Sequence, residues 1–226
     1  MVLFSCSEKE SPSKPQDTFW IFTSEIPCDN FDTTIRCIFT LKEKELDYDI
    51  KKWVSLNENS ELVDFEYETG FFYQLTVELP DKNGPNPTQY KVLKVNQKIK
   101  DYTKIINGSW TLLKIKDTAV PLEKQDKFIL QIEEWRRRIY LVTDCKFYYG
   151  ELGKVDESNF LINSLTSDDI GQKDNCDGFG LINTLLSSKN YSLINLDSLI
   201  FTDAKQNIAL ILKKIPGYNP YRPKGS

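Results

Sequence analysis

The chain of 226 residues contains no histidine, so any acid–base chemistry would depend on carboxylates, lysines and tyrosines. This absence excludes Ser-His-Asp and Cys-His catalysis and every metal site with a histidine ligand. Two carboxylates on either side of a glycosidic bond would make the protein a glycan hydrolase. The acids that could form such a pair are Glu66, Glu68, Asp168 and Asp169. Nothing in the sequence brings two of them to the required separation.

A second group of acids lies in the segment "SDDIGQKDNCDGFG" and is a candidate calcium site. Its members are Asp168, Asp169, Asp174 and Asp177. Calcium takes six to eight oxygen ligands, and the spacing here does not match an EF-hand loop. We favour a solvated acidic turn in which Asp177 caps the following helix. No metal or cofactor is therefore predicted.

The first of the five cysteines stands apart from the others, directly behind an apolar residue and a serine. "LFSC", which ends at Cys6, resembles a bacterial lipobox, and the few residues before it look like a truncated signal. Residues 7–17 have the low hydrophobicity of a tether, and their early Glu-Lys-Glu resembles an export signal of surface lipoproteins. We expect lipidation of Cys6. The alternative is a cytosolic start with a stray thiol.

The remaining cysteines form an even set of four, which fits two disulfides in an oxidising envelope. They are Cys28, Cys37, Cys145 and Cys176. Their spacing does not match CxxC metal or redox motifs. The reducing alternative predicts free thiols in all five positions.

The charge balance argues against nucleic acid and anionic membrane surfaces as partners. The net charge is −4, whereas such partners need a basic face. The one basic run, Arg136 to Arg138, lies beside two glutamates and is interpreted as a solvated strand end, with an anion site as the alternative. The sequence contains no run of about 18 apolar residues that would span a membrane as a helix.

The elements that must position these side chains are predicted to be mainly strands. In the segment that begins at Phe71, apolar residues alternate with more polar ones, which is typical of a half-buried strand. The only good helix candidate follows Cys176, where Leu181, Leu185 and Leu186 would share one face. We predict a mainly β (α+β) fold of two small antiparallel barrel-like or rolled-sheet domains, the second with one packed helix.

Large aromatic side chains offer a second kind of site, a surface for stacking against sugars or peptides. The candidates are Trp20, Trp53, Phe72, Trp110 and Tyr149. We expect most of them to lie in the core, because aromatics fit β cores well.

The second half of the chain carries two recognisable motifs. Gly108, Trp110 and Leu112 form a Gly-x-Trp-x-Leu pattern, and "DCKFYYG" contains Cys145, Tyr148 and Gly150. On these residues the second half resembles the META domain family, to which the heat-shock lipoprotein HslJ belongs, because they match its opening strand motif and its central signature. Asp144 and Lys146 replace the usual Gly and Asn of that signature.

The clearest motif of the first half is "FEYETGFFYQLTV", which includes Phe65, Tyr67, Gly70 and Tyr73. With this motif the first half resembles a small domain of unknown function that often precedes META domains in secreted bacterial proteins, since the core motif of that domain is matched nearly residue for residue. The motif residues look structural, because glycines permit tight turns and aromatics fit a β core. The polar stretch "QKIKDYTKIING" places a boundary near residue 103. We expect a truncated signal and tether at 1–17, domains at 18–102 and 103–215, and an irregular tail at 216–226.

The resemblance also implies disulfide pairs Cys28–Cys37 and Cys145–Cys176, because crossed pairs would tie the two domains together. It implies a non-catalytic binding or structural accessory module, lipid-anchored to the bacterial outer membrane and linked to envelope stress tolerance. The expected partner is a protein or glycan of the envelope, with no nucleic acid and no membrane contact beyond the anchor. A carboxylate-dependent glycan hydrolase is the alternative.

Overall fold

The computed structural model describes residues 14–28, 36–57, 59–81, 83–143, 146–169 and 178–217. Cys6, Cys145, Cys176, Asp174 and Asp177 lie outside these residues, so the predictions for them stay predictions. The predicted mainly β fold is confirmed, with two curled sheets and one packed helix. Within the described residues, no helix is both long and apolar enough to cross a bilayer.

The first half forms a six-stranded sheet and a separate two-stranded hairpin. Its strands are β1 (Gln16–Ile21), β2 (Ile26–Pro27), β3 (Arg36–Cys37), β4 (Phe39–Leu41), β5 (Val54–Ser55), β6 (Glu61–Val63), β7 (Phe71–Glu78) and β8 (Gln89–Lys100). The sheet order is β5-β4-β1-β7-β8-β6, and β2 pairs with β3. All of these pairs are antiparallel except β6–β8, which is parallel.

Strand β7 differs from its predicted half-buried form because both of its faces meet apolar layers. Tyr73 and Leu75 pack in one cluster with Phe19, on one side of the sheet. Phe72 packs on the other side against Trp20 and its neighbours. The strand is therefore central to two cores, which places it under more packing constraint than alternation alone indicates.

The segment "YDIKKWVSL" has the apolar alternation of a strand, but only its second part forms one. Ile50–Lys52 form a short 3-10 helix, and only Val54–Ser55 form a strand. The side chain of Asp49 accepts a hydrogen bond from the backbone N–H of Lys51, which caps the helix. The apolar alternation was correct in its spacing but could not show this local cap.

The second half forms one nine-stranded antiparallel sheet with a helix packed on it. Its strands are β9 (Gly108–Ile115), β10 (Thr118–Ala119), β11 (Ile129–Glu133), β12 (Arg138–Val142), β13 (Lys146–Val155), β14 (Phe160–Asp169), β15 (Asn190–Ile194), β16 (Ser198–Thr202) and β17 (Ile208–Ile215). The order is β14-β13-β12-β11-β9-β17-β16-β15, with β10 paired to β9. A 3-10 helix covers Leu122–Lys127.

Among its described residues, this half has two α-helices: α1 (Thr103–Ile106), a single turn, and α2 (Gly178–Ser187), the predicted helix. Leu181 and Leu185 of α2 are buried as expected, but Leu186 is exposed and Ile182 is buried in its place. The buried face is therefore rotated by part of a turn from the predicted one.

The short connection that contains α1 joins the two sheets. It contributes Ile106 to the core of the second half, around Trp110. The boundary predicted at residue 103 falls in this connection, and no strand of either sheet comes from the other half of the chain within the described residues. The tether predicted for 1–17 is two residues too long, because β1 begins at Gln16. The division into two domains stays a prediction.

The hairpin of β2 and β3 carries the first predicted disulfide. Cys28 and Cys37 are joined, with their Cα atoms 5.0 Å apart, within the normal range for a bridge. Cys37 is buried, whereas Cys28 is partly exposed.

We expect the double variant Cys28→Ala/Cys37→Ala to lose about 2–3 kcal/mol of unfolding free energy, because the bridge closes a short loop in the unfolded chain. Urea titration of wild type and variant under oxidising conditions measures the difference. The wild type should shift to the variant's midpoint when reduced, and the variant should respond much less. Equal midpoints of the two oxidised proteins would show that the bridge adds no stability.

Candidate functional site: a cleft between the two sheets

The contact between the two sheets centres on Arg137, in the turn from β11 to β12. Its guanidinium lies 3.2 Å from the carboxylate of Asp101, and it donates a 2.6 Å hydrogen bond to the carbonyl oxygen of Gly153. The side chains of Arg137 and Asp101 are 1% and 0% exposed. A charge pair this deeply buried is held only where each partner is compensated.

Aromatic rings of the first half complete the surroundings of Arg137. The guanidinium carbon lies 5.0 Å from the ring centre of Tyr48 and 5.6 Å from that of Phe72. Burial raises the pKa of Tyr48, although the positive charge of Arg137 opposes this shift. The interpretation of residues 136–138 as a solvated strand end is therefore wrong for the central arginine, which inserts into the first half.

Two further contacts cross between the halves beside this pair. Lys51, in the 3-10 helix, forms a 2.6 Å ion pair with Glu151 of β13. Trp135 of the β11–β12 turn packs against the aromatic cluster around Phe72. These contacts place the disulfide hairpin of the first half opposite the arginine-rich turn of the second.

A cleft of about 280 Å³ opens between the hairpin and the turn, and we call it the interface cleft. Its lining residues are Ile26, Pro27, Cys28, Phe39, Ile50, Trp135, Arg136 and Arg138. The walls are mostly apolar, two arginines supply the charge, and no lining residue is acidic. Clefts between packed units of structure are preferred places for ligands.

The two outer arginines of the basic run are held in place by aromatic and acidic neighbours. The guanidinium of Arg136 lies 4.0 Å from the ring centre of Trp135 and 3.9 Å from Glu133. The second distance is too long for a hydrogen bond. A hydrogen bond with Tyr140 raises the pKa of Arg138. Both arginines are therefore cationic and oriented at the cleft.

Glu133 is the carboxylate behind this arginine pair. Burial raises the pKa of its side chain, although Arg136 and the Tyr140 hydroxyl both favour the charged form. The Tyr140 hydroxyl donates to the Glu133 carboxylate at 3.3 Å. Glu133 thus balances part of the local positive charge without lining the interface cleft.

The acids predicted as a hydrolytic pair lie elsewhere. Glu66 and Glu68 are exposed in the loop before β7, and Glu68 forms a 2.6 Å ion pair with Lys98. Asp168 is exposed on β14 of the other sheet, and Asp169 ends that strand. Neither of the two glutamates lines the interface cleft, and Asp168 does not line it either. In the part of the chain that the structure describes, no three acidic or cysteine side chains are grouped as metal ligands.

A smaller cavity of about 170 Å³ lies beside the first family motif and contains carboxylates that the sequence did not indicate. Glu25 and Glu61 line it together with Phe65 and Tyr67. Glu61 accepts a hydrogen bond from Gln89, and both acids are solvent-exposed. We find in this cavity no further group that would direct chemistry.

The aromatic candidates are mostly core, as expected. Those buried are Trp20, Trp53, Phe72 and Trp110. Tyr149 is 39% exposed and is tilted against Phe147, with ring centres 6.2 Å apart. A stacking surface made from all five is therefore ruled out.

The motif residues of the first half make contacts within the fold. Tyr67 donates a 2.6 Å hydrogen bond to the carbonyl oxygen of Phe22, and Phe65 packs edge-on against Tyr73. Gly70 has a φ of 92°, a conformation that favours glycine. Its N–H donates to the carbonyl oxygen of Thr23, after β1, at 2.8 Å, and its carbonyl oxygen accepts from the N–H of Asp101, after β8, at 2.9 Å.

The motif residues of the second half are also bound into the fold. Trp110 is fully buried and donates to the carbonyl oxygen of Ile106 at 3.0 Å. Gly108, just before it, has a φ of 127°. Tyr148 belongs to the same core, and a Cβ at Gly150 would overlap the carbonyl oxygen of Ser164 on β14.

Sequence reasoning missed Trp135 and Asp101 as parts of the interface. The available signal was the segment "EEWRRR", in which a tryptophan directly precedes a basic run. A large aromatic residue between charges favours a contact surface over a plain solvated turn.

Comparison of the chain with protein-family models, curated proteins and solved structures finds no match. The resemblance to the META family and to its companion domain stays a prediction, which rests on the motif residues alone.

Proposed function

We propose that the protein is a non-catalytic binding module of a bacterial cell envelope, anchored through a lipid on Cys6. The interface cleft is its binding site. The observation that carries this proposal is the composition of that cleft: apolar walls from both halves, two oriented arginines and no lining carboxylate. Such a lining holds a ligand but offers no general acid or base near neutral pH.

The envelope location is supported by the lipobox-like segment before Cys6 and by the disulfide between Cys28 and Cys37. Expression with the native upstream sequence and labelled palmitate tests the anchor. We expect the protein to take up label and the Cys6→Ala variant to take up none. Label that survives the substitution, or its absence from both proteins, would overturn the anchor.

The binding role is tested by cross-linking in intact cells. A photoreactive phenylalanine analogue replaces Phe39, which lines the cleft, or Leu122, which is 82% exposed outside it. We expect a discrete adduct from position 39 and none from position 122. A further variant, which carries the photoreactive residue at position 39 together with Arg136→Gln, checks that the adduct depends on the cleft. No adduct from position 39, or the same adduct from both positions, would contradict a binding module that uses this cleft.

A further inference from the structure

We infer that the interface cleft binds a carboxylate that stands beside an apolar side chain on a protein partner. The carboxylate belongs to a chain end or to an Asp or Glu side chain. This inference rests on the proposed binding function and specifies its ligand.

The charge of the lining favours an anion. Arg136 and Arg138 are its only ionisable side chains apart from the disulfide-bonded Cys28. The nearby carboxylates lie outside the cleft and are already partnered: Glu151 pairs with Lys51 at 2.6 Å, and Glu133 accepts from Tyr140 and lies 3.9 Å from Arg136, too far for a hydrogen bond. An incoming carboxylate would therefore meet two guanidinium groups without an acid in the cleft to repel it.

Arg136 is prepared for such a contact. Its guanidinium stacks on Trp135, which restricts the side chain before a ligand arrives. Stacking occupies the face of the guanidinium and leaves its in-plane N–H donors available. Within the described residues, Arg136 makes no hydrogen bond of its own. Planar arginine donors match a carboxylate in two parallel hydrogen bonds.

The walls of the cleft favour an apolar neighbour for that carboxylate. An apolar cavity of about 150 Å³ is enough to hold benzene, and this cleft offers about 280 Å³. Ile26, Phe39 and Ile50 therefore have room for one side chain as large as leucine or phenylalanine. Burial of such a side chain contributes favourably in proportion to its area.

The same walls disfavour a glycan. A sugar ring presents many hydroxyls, and each hydroxyl buried without a partner weakens binding. No lining residue of the cleft carries a side-chain amide or hydroxyl. Among the lining side chains, an acidic sugar would have only the two arginines to pair with both its carboxylate and its several hydroxyls, so a protein segment fits better.

The test uses the full-length protein with its disulfide intact and the probe acetyl-Gly-Gly-Leu-Phe with a free carboxylate. The readout is the NMR shift of the Trp135 indole N–H, assigned with Trp135→Phe. We expect saturable binding that weakens as salt rises from about 50 to 500 mM. The variant Arg136→Gln/Arg138→Gln should bind at least about tenfold more weakly. The control Lys116→Gln/Lys205→Gln, which removes the same charge outside the cleft, should bind as the wild type.

Two further probes identify the source of the carboxylate. Acetyl-Gly-Gly-Leu-Phe amide should not bind, and acetyl-Gly-Phe-Glu-Gly amide shows whether a side-chain carboxylate serves. Binding of the acid-containing amide as well as the free chain end assigns both sources, and binding of one assigns that one. Three results would overturn the inference: the plain amide binds as well as the free-carboxylate peptide, the lysine control loses as much affinity as the arginine variant, or oligogalacturonate binds and the peptides do not. A glycan adduct from position 39 in cells would overturn it while leaving the binding function in place.

Discussion

The variant Arg137→Met should lose about 3–5 kcal/mol of unfolding free energy, because it leaves the carboxylate of Asp101 buried without its partner. It also removes the hydrogen bond to Gly153 and the charge between the rings of Tyr48 and Phe72. Urea unfolding followed by circular dichroism measures the loss. The variant should still fold at low temperature, but the urea concentration at its unfolding midpoint should be much lower than that of the wild type.

The neighbours in sequence provide matched controls for this experiment. Arg136→Met and Arg138→Met change the same side chain in adjacent positions that reach solvent, and each should cost less than about 1 kcal/mol. The double variant Asp101→Leu/Arg137→Met removes both buried charges and should recover much of the loss. If all three Arg→Met variants lost the same unfolding free energy, the buried pair would contribute no more to stability than the arginines that reach solvent.

The variant Gly150→Ala should lose about 3 kcal/mol or more, although it adds only one methyl group. The new Cβ would overlap the carbonyl oxygen of Ser164, a backbone atom that cannot rotate away, and would also press on Leu165. Strands β13 and β14 would have to separate locally next to the bulge after Glu151. Thermal unfolding and amide hydrogen exchange of β14 measure the two consequences.

Gly180→Ala is the matched control, because this glycine lies in α2 and, among the described residues beyond its chain neighbours and the helix's own backbone, no atom lies within 4 Å of an added Cβ. The same methyl group should here stabilise the protein by up to about 1 kcal/mol through helix propensity. Opposite signs at the two positions are expected. A neutral result at Gly150 would mean that the two strands can move apart without cost.

The regular elements could be predicted where apolar spacing alone decides them. Alternation indicated β7, and the leucine spacing indicated α2. The 3-10 helix at Ile50–Lys52 departs from the strand-like alternation of its residues because Asp49 accepts hydrogen bonds from the backbone N–H groups of Lys51 and Lys52.

The site could not be predicted in the same way, because its parts come from distant segments. Arg137 looks like any solvated arginine in "EEWRRR", and its burial depends on Asp101, Tyr48 and Phe72. Local sequence shows which residues carry charge but not which remote side chains will surround them. The motif glycines could be recognised from the sequence as constrained positions. The sequence could not show that the constraint on Gly150 comes from the carbonyl oxygen of Ser164 on the neighbouring strand β14.

The position of the last strand affects how the protein emerges from the ribosome. Strand β17 begins at Ile208 yet lies in the middle of its sheet, paired with β9, which begins at Gly108. At typical translation rates, about 5 to 20 seconds separate the synthesis of these two neighbours. Throughout that interval one edge of β9 has no native partner, and such an edge can pair with other chains. The sheet of the second half can therefore be completed only after β17 has been made.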